Sequence, residues 1–206
     1  YDEKDYDGAL GTIDDAQGLY GTEYNVAWTQ LLKAKVLLEQ GLINEARDAN
    51  MNLLTVPSWR GAPVAQATYQ LGWVEETAGN LSKAFAFYQR TYFQYKGHAG
   101  GSWAAEGYLA SARILEKMGR TNDVRNTYRA MLFDPYVNTL PQAEKAREAL
   151  GATEVAEIQA YIETGGSTNI SISVETELTA GPKSSAEGEA DPEPDKEQET
   201  VLEESA

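Results

Sequence analysis

No cysteine occurs in this 206-residue chain, which excludes disulfides, thiol catalysis and cysteine-ligated metals together. That absence leaves the compartment open, because cytosolic and periplasmic proteins both do without the residue. There is one histidine, His98, in the stretch KGHAGGS. A lone histidine without an H-E-x-x-H pattern does not build a zinc centre. The nearby AGGSW lacks the G-x-S-x-G spacing of a nucleophile elbow, and no Gly-rich phosphate loop occurs. Glu75 and Glu76 are adjacent carboxylates, but neighbours on a helix point about 100° apart and do not face one site. No catalytic residue, cofactor or metal is therefore expected. No run approaches the roughly 18 apolar residues of a membrane span.

Basic residues are scarce too: 17 against 32 acidic ones, for a net charge of −15. Residues 166–206 hold 11 acidic and 2 basic side chains, a net of −9, and the preceding 165 residues carry a net of −6. A body of that sign repels phosphate backbones, so nucleic acid is not an expected partner. The segment PKSSAEGEADPEPDKEQETVLEESA is acidic and nearly free of large apolar groups. It cannot bury enough surface to offset ordering, and a disordered acidic tail over 165–206 is expected. Just before it, NISISVETEL alternates Ile170, Ile172, Val174 and Leu178 with polar residues, a strand-like pattern with no partner strand. The opening YDEKDYDGAL has neither an initiating Met nor a charged-then-apolar leader, and reads as a processed form or a fragment of something longer.

What the chain does have is helical periodicity. EYNVAWTQLLKAKVLLEQG places apolar residues at helical spacing, stops at Gly41, and INEARDANMNLL resumes the period at once. This predicts a helical hairpin over 23–55, with helices at 23–40 and 43–55. Two more follow at 64–95 and 103–132, turning at AGN and MGRTND. Pro141 opens a short helix to Leu150, and a last helix covers about 153–163, so 141–163 caps the array. A partial unit at 5–20 precedes it.

The turns superpose. Gly41, Gly79 and Gly119 are spaced 38 and 40 apart. Five residues after each come Ala46, Ala84 and Val124, and nine after come Asn50, Tyr88 and Tyr128. Ala9 stands 37 before Ala46, a leftover second helix in the same frame. A period near 38 with two helices per unit predicts an all-α solenoid over residues 1–164. In the central unit, YQLGWVEETAGNLSKAFAFYQ carries Leu71–Gly72 in the first helix, Gly79 at the turn, then Ala84 and Tyr88. Gly72 and Ala84 are expected to meet where the two helices approach, with Tyr88 filling the remaining gap.

These residues resemble the tetratricopeptide repeat (TPR) family over about 23–132. Two departures stand out: Val124 where Ala is usual, and Asn50 where an aromatic is expected. The resemblance implies a non-enzymatic scaffold that binds a protein or peptide partner in a concave groove lined by the first helices. Within the family, the aromatic-rich, loosely spaced units look more like bacterial cell-envelope adaptors than eukaryotic co-chaperones, which favours an envelope or periplasmic setting over the cytoplasm. The groove positions that would match a co-chaperone carboxylate clamp are Lys35, Trp73 and Arg113, with no Asn among them, so a clamp of that kind is not expected.

Helical spacing selects the groove residues. Gln66, Tyr69, Trp73 and Glu76 make one stripe opposite the Leu71–Gly72 packing side. The equivalent stripe of the first unit is Trp28, Leu31, Lys35 and Leu38–Glu39; that of the third is Glu106, Leu109, Arg113 and Glu116–Lys117. The partner-binding candidates are therefore Trp28, Lys35, Tyr69, Trp73, Glu76, Arg113 and Lys117. Two Trp, a Tyr and flanking cations suit a segment with apolar anchors and acidic flanks. The competing reading is that both Trp pack against neighbouring repeats. In that case the chain is a segment of a structural or self-assembling array with an empty groove. The tyrosines Tyr88, Tyr92 and Tyr95, with Phe85 and Phe87, read as packing residues.

Overall fold

Three turns of the same construction organise the chain. In the computed structural model, which describes residues 5–166, the first helix of each hairpin closes in a left-handed glycine: Gly41 at φ 80°, Gly79 at 79° and Gly119 at 73°. The amide after each glycine reaches back to the carbonyl five residues earlier. The three bonds are Leu42 to Leu37 at 2.9 Å, Asn80 to Glu75 at 2.8 Å and Arg120 to Leu115 at 2.9 Å. Each glycine amide bonds the carbonyl three residues back: Leu38, Glu76 and Glu116. That pair of bonds is the Schellman closure, and its left-handed residue is why glycine recurs. The next helix starts at once, because Leu42, Asn80 and Arg120 accept its first backbone bond from Ala46, Ala84 and Val124.

Every regular element among the described residues is a helix, and none is a strand. The elements are α1 (Tyr6–Tyr20), α2 (Val26–Glu39), α3 (Ile43–Thr55), α4 (Ala62–Thr77), α5 (Leu81–Gln94), α6 (Ser102–Lys117), α7 (Thr121–Phe133), α8 (Ala143–Leu150) and α9 (Ala152–Glu163). Short 3₁₀ turns at Pro57–Trp59 and Ala99–Gly101 join the hairpins. The helix α8 begins at Ala143, two residues later than Pro141 indicated, because residues 134–142 wind through turns closed by Val137 to Asp134 and Ala143 to Leu140. Gly165 and Gly166 lie in the turn that closes α9, where the Gly166 amide bonds the Tyr161 carbonyl at 3.0 Å. The rest of the acidic tail and the alternating stretch Ile170–Leu178 lie outside the described residues.

Each helix packs on its neighbours in sequence, and the first helices α2, α4 and α6 also touch one another in succession. Small residues set the closeness. Ala46 and Ala84 are fully buried, and a Cβ added at Gly107 would stand 2.9 Å from the Tyr88 carbonyl oxygen, so α6 lies almost on the α5 backbone. Gly72 faces the ring of Tyr88. The three atoms nearest to a Cβ placed there all belong to the Tyr88 ring, two of them at 2.5 Å. Gly72 makes room for an aromatic ring, while Ala84 packs in a cluster with Tyr88, Ala110 and Ile114.

Ion pairs repeat with the helices. Arg47 and Arg125 stand six residues past Gly41 and Gly119, and each pairs with a buried glutamate further along the chain. Arg47 meets Glu75 of α4 at 2.6 Å, and Arg125 meets Glu154 of α9 at 2.5 Å. Between hairpins, Tyr92 and Tyr108 stack at 3.8 Å, and the Tyr108 hydroxyl donates to Asp134 at 3.1 Å. Burial pushes the Tyr92 hydroxyl up to about 12, so both rings stay neutral at ordinary pH. Trp59 locks the loop after the first hairpin by donating its indole N–H to the carbonyls of Thr22 and Glu23 at 3.1 and 3.0 Å.

Candidate functional site

The 100° turn between Glu75 and Glu76 sends the two carboxylates to different hairpins. Glu75, 3% exposed, looks back: it accepts from Arg47 of α3 and from the Asn80 side chain at 2.8 Å. Glu76 looks forward and floors a cavity of about 560 Å³ between α4, α5 and α6. Its Oε2 accepts from Arg113 Nη2 at 2.7 Å and from the Tyr88 hydroxyl at 2.8 Å. Its Oε1 accepts from Lys117 Nζ at 2.7 Å and from Arg113 Nε at 3.2 Å. Arg113 and Lys117 sit at i and i+4 on α6, so one helix face delivers both cations to one carboxylate.

Burial alone pushes the Glu76 carboxyl up, but the hydrogen bonds from Arg113, Lys117 and Tyr88 outweigh it and hold the group at about 2. The same contacts raise Arg113, chiefly through its bond to Glu76. Tyr88 is raised by burial first and by the neighbouring carboxylate second. Glu76 is thus a fixed anion. Two cations share it, leaving one positive charge in excess. About half of each cationic side chain is exposed, 47% for Arg113 and 49% for Lys117. Each retains N–H donors beyond those given to Glu76.

Tyr69 and Trp73 complete the wall. Tyr69 lies 5.2 Å from the Tyr88 ring and 5.4 Å from Trp103, and Trp73 stands at the mouth, 37% exposed. Five residues selected by helical spacing, namely Tyr69, Trp73, Glu76, Arg113 and Lys117, line this one cavity with Thr77 and Tyr88. The other two stand apart from it. Trp28, on α2, is exposed and meets Tyr24 edge-on at 6.4 Å, while Lys35 is exposed and pairs with Glu39 at 3.9 Å. Arg113 and Lys117 are both tied to Glu76, so a ligand would meet them as partly compensated charges.

The first-unit stripe needs a correction. Leu31 and Leu38 are buried, and the side chain that faces outward is Leu32, 50% exposed. Trp28, Lys35 and Glu39 lie on the open stripe of α2 as expected, with Leu32 in place of Leu31 and without Leu38. The core side of α2 is broad, with Val26, Ala27, Leu31, Ala34, Val36, Leu37 and Leu38 all buried, so spacing alone left the phase of the open side ambiguous.

Two contributors were invisible in that reading. Tyr88 is a fully buried packing residue whose hydroxyl nevertheless reaches the cavity floor. Trp103 begins a second cavity of about 350 Å³, shared with Tyr69, Ser102, Glu106 and Gln142. His98 takes no part in either cavity; its ring lies beside Gly61 and 6.1 Å from Tyr95. No helix among the described residues is long and apolar enough to cross a membrane. Comparison with protein-family models, with curated proteins and with solved structures returns no match to this chain.

Proposed function

We propose that this chain is a tetratricopeptide-like α-solenoid acting without catalysis, as a scaffold that holds a protein or peptide segment on the concave face of its first helices. The observation that carries the reading is the cavity above Glu76. Aromatic walls from α4 stand beside two cations from α6 that keep unused donors. A cavity that gathers an exposed Trp, a Tyr, an Arg and a Lys has the composition of an interface centre, where Trp, Tyr and Arg concentrate binding energy. Glu76 itself is already satisfied by Arg113, Lys117 and Tyr88, which favours recognition over proton transfer: held at about 2, it is no general base near neutral pH.

The test pairs identification with perturbation. Partners are captured with the parent chain and with a folded Trp73→Ala variant, and those lost with the variant are measured for direct affinity. Unchanged affinity in Trp73→Ala would move binding off this face.

A second reading, a segment of a structural or self-assembling array, is favoured by one observation. Only Ile13 of α1 is buried, while Leu19 at its end is 77% exposed and Tyr20 and Tyr24 are open beside it in sequence. Apolar surface of that kind is covered by a neighbour in repeat arrays. Light scattering over a concentration series separates the readings: a mass that grows with concentration supports the array, and a constant monomer mass supports the adaptor.

A further inference from the structure

Beside the cationic cavity lies one of opposite character. Trp103 and Glu106 stand at i and i+3 on α6, so both side chains share one face of that helix. Tyr69 of α4 closes one side, its ring 5.4 Å from Trp103 and tilted by 42°. Gln142, the residue before α8, closes the other, donating its amide to Glu106 Oε1 at 3.2 Å. The space between them is about 350 Å³. Among the described residues no ion pair reaches Glu106, whereas Glu75, Glu76 and Glu154 each hold a cation. An anionic carboxylate next to two aromatic rings, with no counter-charge of its own, is the environment in which a desolvating cation gains most. The ring faces attract it through their quadrupole and the carboxylate through its charge.

We infer that the Tyr69–Trp103–Glu106–Gln142 cavity is a subsite for a basic side chain of the bound segment, an arginine in preference to a lysine. The preference follows from shape: a planar guanidinium stacks on an aromatic face and presents paired donors to a carboxylate, which an ammonium cannot do. Tyr69 borders both cavities, so the face presents an acidic pocket and a net-cationic pocket on either side of one ring. The inference rests on the scaffold reading, and it adds polarity to it. The segment would run with its basic residue over α6 near Trp103 and an acidic or apolar one over Trp73.

The experiment uses the full chain, isotope-labelled, with N-acetyl-arginine methylamide as probe and the indole N–H of Trp103 as reporter, assigned by its loss in Trp103→Phe. The expected result is a saturable shift with a dissociation constant on the order of millimolar, as befits one side chain. N-acetyl-citrulline methylamide, the same shape without the charge, should leave the signal in place. Glu106→Gln should weaken binding roughly tenfold by removing the charge while keeping an acceptor for Gln142. Glu45→Gln, on α3 and outside both cavities, should behave as the parent. An equal response to the citrulline probe would overturn the subsite by showing that the positive charge is not recognised, and equal weakening in Glu45→Gln and Glu106→Gln would overturn it in favour of general attraction to an acidic surface. The citrulline comparison needs no variant, so it decides even where Glu106→Gln folds poorly. A silent probe alongside a partner that still depends on Trp73 removes the subsite and leaves the scaffold reading standing.

Discussion

The hydroxyl of Tyr88, whose side chain is completely buried, donates to Oε2 of Glu76 at 2.8 Å. The bond joins the packing interior of the second hairpin to the floor of the candidate site. It also explains why Gly72 lacks a side chain, since the Tyr88 ring occupies the volume a Cβ would take. One tyrosine therefore sets the spacing of α4 and α5 and orients the carboxylate that α6 reads.

Tyr88→Phe keeps the ring and removes that bond. A hydrogen bond to a charged acceptor is worth about 1.5–3 kcal/mol, so the variant should lose stability in that range without losing helical signal. Glu76→Gln should be coupled to it, because one change removes the donor and the other the charge on the acceptor of the same contact. A double-mutant cycle by urea unfolding is expected to return an interaction energy on the order of 1 kcal/mol. Strict additivity would mean the two side chains do not meet in solution.

Two glycines should fail for different reasons. Gly72→Ala puts a methyl 2.5 Å from a buried ring and should cost on the order of 1–3 kcal/mol through overpacking. Gly79→Ala meets open space but must hold φ at +79°, a backbone penalty on the order of 1 kcal/mol. Tyr88→Leu, which empties the space beside position 72, should relieve part of the first cost and none of the second. Thermal melts of the three single and two double variants distinguish the two mechanisms.

Acid should unfold the chain partly through Glu76. Its carboxyl is held at about 2 in the fold, below the ordinary 4.5 it regains when unfolded. The stabilisation is therefore fully present above pH 4.5 and is lost as pH falls from there toward 2. Glu75 is lowered as well: its burial is outweighed by hydrogen bonds from Arg47 and Asn80, so it adds to the same acid loss. Denaturation midpoints measured from pH 6 to 2 should fall less steeply in Glu76→Gln than in the parent. Parallel curves would show that Glu76 is not the titrating group.

Trp73→Ala should leave the fold nearly as stable as the parent, because the indole is more than a third exposed. It should nevertheless weaken a groove-bound partner by about 2 kcal/mol or more, the usual cost of removing a central aromatic anchor. Lys35→Glu, on the neighbouring hairpin and outside the cavity, should change that affinity far less. Calorimetry or anisotropy with a captured partner reads both. Equal losses would place Lys35 in the same interface as Trp73.

Local chemistry was legible in the amino-acid order alone. The turns at Gly41, Gly79 and Gly119 are closed by bonds within six residues, so a glycine between two helical periods is enough to place them. The hairpin ranges follow from the same short-range pattern. Helix rotation was only half legible. Spacing put Tyr69, Trp73 and Glu76 on an open side of α4, yet on α2 it chose Leu31 over Leu32, because several buried positions on that helix blur the apolar stripe. The electrostatic character of the site depended on tertiary structure. Arg113 and Lys117 lie 37 and 41 residues beyond Glu76, and nothing local says that they neutralise it. Nor does the sequence show that, among the described residues, no cation pairs with Glu106 beside Trp103, since a carboxylate acquires or lacks a counter-charge only when separate helices are brought together.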